Sequence, residues 1–422
     1  MSVERLAAAI RAAAGRRGLR SGTDAARVRK WQRGGVAPNE ESQIYIAEAL
    51  GLPADIVRAD DWPNWIPVPA DGVVPLGPYS SVPALREALR TAMDRRDFLT
   101  ITGAALSAVA ADCAASPAAA LAQTHGEKPI DDDLVAALEN TTRHFAALAT
   151  EQRQHTTTLL DALLSTVTDV LEHGRYTPTL GVRLHHLAAT LSQTVAWHSF
   201  DQGRHTHASQ TWIAGLHNAH AAGDHDMGAG LLSDLAYQLA WRSDHTAATQ
   251  ILDHALTRAT QPAARCLLEL RRARALAAQG DRTEQRAVLR ALAAAEQHLN
   301  RAGSDRPGWC AWVSEADLAV DSGQALLDLG DTARAHQLIT EGERLLPAAR
   351  DKTRGVFLAY RAASYLDLGE PEPAAAAARE SLLLARRIGA PRCLRLVNDL
   401  LPRFQPHTAA QGVPELLQAA AA

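Results

Sequence analysis

Lysine is nearly absent from this 422-residue chain: only Lys30, Lys128 and Lys352 occur, so almost all positive charge is arginine. A GC-rich coding sequence produces that bias without any functional demand. Cysteine is sparse as well. Cys113, Cys266, Cys310 and Cys393 are scattered with no C-x-x-C pair, which excludes a zinc knuckle and a disulfide framework. They read as small core residues in a reducing, cytoplasmic setting. Aromatics make up 5% of the residues, and the dominance of Ala, Leu and Arg favours helix. No apolar run approaches the ~20 residues of a membrane span, so no membrane partner is expected. P-loop, G-x-S-x-G, kinase-type, dinucleotide-glycine and H-E-x-x-H patterns are all missing, and neither catalysis, a cofactor nor a metal is expected.

What is present is a repeat. Gly203, Ser243, Gly280, Gly330 and Gly369 mark the turns of five helical hairpins. Seven residues before each stands Ala196, Ala236, Ala273, Gly323 or Ala362. Five residues after come Ala208, Ala248, Gln285, Ala335 and Ala374, and twelve after come Gly215, Ala255, Leu292, Gly342 and Ser381. A tetratricopeptide-type hairpin needs that spacing: small residues where its first helix (A) crosses its second (B), and a turn residue able to take positive φ. The third hairpin departs at Gln285 and Leu292, and an irregular repeat with a protruding Gly303–Gly308 loop is expected there. The fold class read from these features is all-α, an N-terminal helical domain followed by an α-solenoid.

The organisation follows from turn and linker signals. Residues 1–58 read as short helices: Val3–Ala14, Ala25–Arg33 ended by Gly34-Gly35, and a third opened by Pro38-Asn39. Residues 59–81, with Trp62-Pro63-Asn64-Trp65-Ile66-Pro67 and further prolines, read as a semi-rigid linker. Residues 82–130 hold a bridging helix and a flexible linker. Residues 131–405 are the repeats, beginning with two long helices at about 132–152 and 154–173 and ending on a capping helix, Pro391–Phe404. Residues 406–422 read as a tail.

Charge is distributed unevenly. Residues 1–35 carry a formal +7, whereas the whole chain carries −4, which points to a polyanion partner for the head. Val28 and Trp31, three apart, face the core of a short helix. Thr23, Arg27, Arg29, Lys30 and Arg33 then fall on or near its open side, where arginine can meet guanine edges or phosphates. Arg29-Lys30-Trp31-Gln32-Arg33-Gly34, Pro38 and Ile46-Ala47-Glu48-Ala49-Leu50-Gly51-Leu52-Pro53 together resemble the lambda-repressor-like (XRE) family. With Trp62–Pro67, Asp94-Arg95-Arg96-Asp97-Phe98-Leu99 and the repeats, the layout resembles actinobacterial helix-turn-helix regulators with tetratricopeptide sensor domains. That resemblance implies a homodimeric transcriptional regulator that binds operator DNA and whose array senses a peptide, small molecule or protein. The family has a complete helix before Gly22, where this chain has only Gly15–Ser21. The alternative is a protein-interaction scaffold whose head no longer binds DNA.

Three further features complete the reading. Arg95-Arg96-Asp97-Phe98-Leu99 ahead of Ile101–Ala111 matches a twin-arginine export pattern, but it lies behind 92 residues that read as folded. An amphipathic helix packed on the first repeats, or on a second subunit, is expected instead. Histidines crowd the first two hairpins, at positions expected to be turns or polar faces, and are read as solvated. Helix A side chains line the ligand face of such arrays, making Trp197, His198, Tyr237, Arg271, Arg274, Trp312 and Tyr360 the candidate ligand-binding residues.

Overall fold

In a computed structural model of the chain, the structure describes residues 3–32, 37–49, 54, 57, 73–77, 80–93, 103–115, 128–147, 154–280, 284–303 and 306–421. They form two units, Met1–Pro75 and Leu76–Ala422. The Trp62–Pro67 stretch, Arg33 and the Arg95–Leu99 string lie outside the described residues.

The first unit packs α1 (Val3–Arg16), α2 (Ala25–Gln32) and α3 (Glu40–Ala49) around one small core. Ala7, Ile10, Ala13 and Ala14 of α1, spaced at helical intervals, meet Val28 and Trp31 of α2 and Tyr45, Ile46 and Ala47 of α3. Asp24 caps α2 by accepting from the Arg27 amide at 2.8 Å, and Asn39 caps α3 through the Ser42 amide at 3.0 Å. Arg17 donates to Glu48 at 2.8 Å and ties the end of α1 to α3. Residues 17–24 form a turn and an extended stretch, so no complete helix separates α1 from α2.

The second unit is built from helices α4 (Ser81–Met93), α5 (Gly103–Ala115), α6 (Asp132–Ala147) and α7 (Thr157–His173), then five hairpins. The hairpins pair α8 (Pro178–Asp201) with α9 (His205–Ala222), α10 (His225–Trp241) with α11 (His245–Arg258), α12 (Pro262–Ala278) with α13 (Gln285–Arg301), α14 (Glu315–Asp328) with α15 (Thr332–Leu345), and α16 (Asp351–Asp367) with α17 (Pro371–Arg387). Helix α18 (Pro391–Phe404) follows, then α19 (Val413–Ala421). The only paired strands among the described residues are β1 (Lys128–Pro129) and β2 (Gly174–Arg175), joined in parallel.

The small-residue code explains the hairpins. All five turn residues take positive φ: 76° at Gly203, 66° at Ser243, 73° at Gly280, 85° at Gly330 and 80° at Gly369. A Cβ on Gly323 would stand 2.7 Å from Ile339 Cγ1 and 2.8 Å from the Ala335 carbonyl, and one on Gly342 would stand 2.6 Å from the Ala316 carbonyl. Helices α14 and α15 therefore cross so closely that only glycine fits. The third hairpin keeps the same code with a longer turn. Helix α13 begins five residues past Gly280, whereas the other B helices begin two past their marks. Val288 and Ala295, both 0% exposed, take the places expected of Gln285 and Leu292. The segment after α13 does not protrude in its described part. Arg306 donates back to the Gly303 and Val313 carbonyls, Cys310 and Val313 are buried, and the Trp309 ring packs where Gly230 of α10 has no side chain.

Successive A helices touch one another, while among the described residues no two successive B helices are in comparable contact. The A helices therefore lie on the inside of the array. Helix α4 lies on the B helix α9 and also meets α7, and α5 lies on α11. The α5 segment is thus packed on an early repeat, through Leu106, Val109 and Ala110. The expected tail contains a docked helix: α19 packs on α17 and α18, with Val413 and Leu416 both 0% exposed. Its few apolar residues hid it among alanines. Among the described residues, no helix is long and apolar enough to cross a membrane.

Candidate interaction site

The inner face of the array is filled by arginine and aromatic side chains rather than by aliphatic ones. Asp234 of α10 is its anchor. Its carboxylate, 2% exposed, accepts from Arg271 Nη1 of α12 at 2.7 Å, from Gln193 Nε2 at 2.8 Å and from Trp197 Nε1 of α8 at 3.0 Å. A buried carboxylate needs such convergence, because desolvation is otherwise uncompensated. Arg271 thereby lies over Tyr237 at 5.1 Å and over Trp197 at 5.7 Å.

The same pattern recurs deeper in the array. Arg274 donates to Asp321 Oδ1 of α14 at 2.9 Å and to the Tyr360 hydroxyl of α16 at 3.0 Å, and lies over the Tyr360 ring. Arg392 of α18 donates to the Tyr237 hydroxyl at 3.0 Å and lies over Phe200 and Tyr237. Asp201, at the end of α8, pairs with both Lys352 of α16 and Arg392 of α18. The first hairpin is thus tied to the fifth and to the cap helix by charge.

A cavity of about 260 Å³ opens against this cluster. Tyr237, Trp241, Arg271, Arg274, Tyr360 and Arg395 supply its polar and aromatic wall, with Asp328 and Asp399 beside them. Burial pushes the Asp328 carboxyl above the usual carboxylate range, although Arg274 opposes the shift.

Five of the seven expected ligand residues therefore come together: Trp197, Tyr237, Arg271, Arg274 and Tyr360. Two do not. His198 pairs with Thr157 of α7 at 3.3 Å. Trp312 sits in the loop before α14, 42% exposed, under the Arg350 guanidinium. Sequence spacing missed Asp234, Asp201 and Arg392, because burial of a charge is visible only once its partners are in place.

The histidines need correction. His185, His207, His217 and His220 are buried, not solvated. Helix α9 lies between α8, α10 and α4, so its polar residues are interior too. His207 bonds Ser199 at 2.7 Å, and His185 bonds Asn218 at 2.8 Å. Burial pulls the His207 pKa down to about 4. Among the described residues, no group of three or more His, Cys, Asp or Glu is arranged to hold a metal.

In the head, Arg27, Arg29 and Lys30 are exposed on α2, opposite buried Val28 and Trp31. Thr23, expected on the open side, is 2% exposed. Its hydroxyl pairs with Ser21 and its carbonyl accepts from Arg11 at 2.6 Å, which turns it inward.

Residues 1–54 match the family model described as the SP15 N-terminal domain. That match is not to a lambda-repressor-like model and lends no support to the helix-turn-helix resemblance. No curated protein matches the chain. Among solved structures, it is similar to a chain in the crystal structure of the APC/C hetero-tetramer Cut9–Hcn1. The identity is 12% and the TM-score 0.28, over 94% of this chain and 82% of that one. A likeness this weak carries no argument. The class rests on the chain's own geometry: an all-α protein of tetratricopeptide-like hairpins.

Proposed function

We propose that the chain is a protein-interaction scaffold whose binding face is the inner, A-helix side of the array. The observation that carries this reading is the arginine–aromatic cluster of Trp197, Tyr237, Trp241, Arg271, Arg274, Tyr360, Arg392 and Arg395. Tyr, Trp and Arg are the residue types that dominate interface energetics, and a repeat array offers its concave face for binding. A photoreactive amino acid at position 241 or 395 tests it in cells. The reading expects a discrete protein adduct from both positions and none from position 290, exposed on B helix α13. Equal labelling from all three positions, or none from 241 and 395, would sink it.

A second reading is favoured by one specific observation, the exposed Arg27, Arg29 and Lys30 on α2. Here the head binds operator DNA as a homodimer, with half-sites about one DNA turn apart. The array then senses a peptide, small molecule or protein effector. Each phosphate contact would add about one unit of log-log salt slope. Retention on duplex DNA that falls with salt, and that disappears in the Arg27→Ala/Arg29→Ala/Lys30→Ala variant, would support it. Retention unchanged in that variant would contradict it.

A further inference from the structure

The cavity against the cluster has the marks of a built pocket for a small molecule. Its floor and sides are apolar: Ala236, Ala240, Ala275, Ala278, Leu252 and Leu396. Two solvent-shielded polar atoms on lining residues, Arg274 Nε and His245 Nδ1, have no hydrogen-bond partner among the described residues. Such atoms are costly to leave unpaired in a folded protein. At the rim, the Arg395 guanidinium lies 5.7 Å over the Trp241 ring. Unlike Arg271, Arg274 and Arg392, it has no carboxylate partner among the described residues.

The lining also limits the charge it accepts. Asp328 and Asp399 stand in the same wall, and both repel a second negative charge on an occupant. Asp328 Oδ1 also accepts from Gln324 at 3.0 Å, so one of its oxygens is already engaged within the protein. The occupant that satisfies these conditions carries one negative charge at one end and an apolar body at the other.

We propose that this pocket binds a small monocarboxylate with an apolar body. The carboxylate meets Arg395 and Arg274, and the body lies on the alanine floor beside Trp241 and Tyr360. Because the walls come from α10, α11, α12, α14, α16 and α18 together, an occupant would bridge helices from four hairpins and the cap. The inference does not depend on the scaffold reading, since it needs only the purified chain.

The test uses four probes that share a phenyl body: 3-phenylpropionate, phenylalanine, phenethylamine and phenyl phosphate. Binding is followed by calorimetric titration and by the rise in Tm of the full chain. The expected result is binding of 3-phenylpropionate and phenylalanine, with phenethylamine and phenyl phosphate at least tenfold weaker. In R395Q, whose altered side chain is exposed and lies over the Trp241 ring, carboxylate binding should weaken at least tenfold with circular dichroism unchanged. Equal binding of phenethylamine, stronger binding of phenyl phosphate, no carboxylate binding, or an R395Q titration identical to wild type would each overturn the proposal. Any of these could occur while photo-crosslinking at position 241 still yields a protein partner, so the two ideas fail separately.

Discussion

At the residue scale, Asp234 and Arg271 set the terms. Both are almost fully buried, with side chains 2% and 7% exposed. Removing one partner of such a pair leaves an uncompensated charge and costs about 3–5 kcal/mol. Arg271→Met should lower stability by that order in urea denaturation, while Arg271→Met/Asp234→Leu should be less destabilised than Arg271→Met alone. A double variant no better than the single would mean the pair is not coupled. The turn residues give a second case. Ser243 is the one non-glycine with positive φ among the described residues, so Ser243→Gly should stabilise by up to about 1 kcal/mol. Gly323→Ala should cost about 1–3 kcal/mol through overpacking against Ile339 and the Ala335 carbonyl. Equal effects of the two changes on the denaturation midpoint would contradict this account of the hairpin.

Buried histidines make stability depend on pH. His207 is held neutral, its pKa pulled from 6.5 to about 4 by burial. As pH falls below the unfolded value, the unfolded chain takes up the proton first. This stabilisation is therefore complete above about pH 6.5 and is lost as pH drops towards 4. Burial shifts His185 in the same direction. His186 runs the other way, because its bond to Asp224 favours the cation, so its contribution is present at low pH and fades as pH rises through its raised pKa. Urea midpoints should decline from pH 6.5 to 4, and less steeply in His207→Gln. Identical slopes would remove His207 from the explanation.

At the element scale, much of the array is legible in sequence because hairpin crossing is a steric requirement. Ala196, Ala236, Ala273, Ala362 and Gly323 are where backbones approach, and small residues are the only ones that fit. The third hairpin breaks the spacing, since a longer turn moves the code to Val288 and Ala295, and a fixed spacing cannot follow an insertion. The buried face of α9 was hidden for a different reason. His217 and Asn218 look like surface residues until α4 covers them, and the Asn218 side-chain Oδ1 is bonded to His185 of α8. Helix α19 illustrates the energetic side. Val413 and Leu416 are fully buried against the cluster that holds Phe404 and Leu382. Each such side chain contributes about 1.5–3 kcal/mol. Deleting residues 406–422 should therefore lower the Tm of the chain clearly. An unchanged Tm would make α19 an ornament rather than a cap.

At the scale of the second unit, charge performs the closure that aliphatic packing performs elsewhere. Asp201 holds Lys352 and Arg392, and Arg274 holds Asp321 and Tyr360, so helices far apart in sequence meet through polar contacts. Neutralising Asp201 leaves two cations facing each other. Asp201→Asn should loosen the contact of α8 with α16 and α18, seen as a larger radius of gyration in solution scattering, and no increase would contradict the closure. Sequence spacing identified Arg271, Arg274, Tyr237 and Tyr360 as residues of the inner face. It could not identify Asp201 or Arg392, whose roles depend on which distant helices the array brings back together.

If partners engage the inner side of the hairpins, as proposed, the helices facing inward should be shielded in the complex. Amide hydrogen exchange of the full chain, with and without the partner captured by photo-crosslinking at position 241, reads this shielding helix by helix. New protection is expected in α10, α12, α16 and α18, with the B helices α13 and α15 unchanged. Protection confined to those B helices, or to the head, would contradict it.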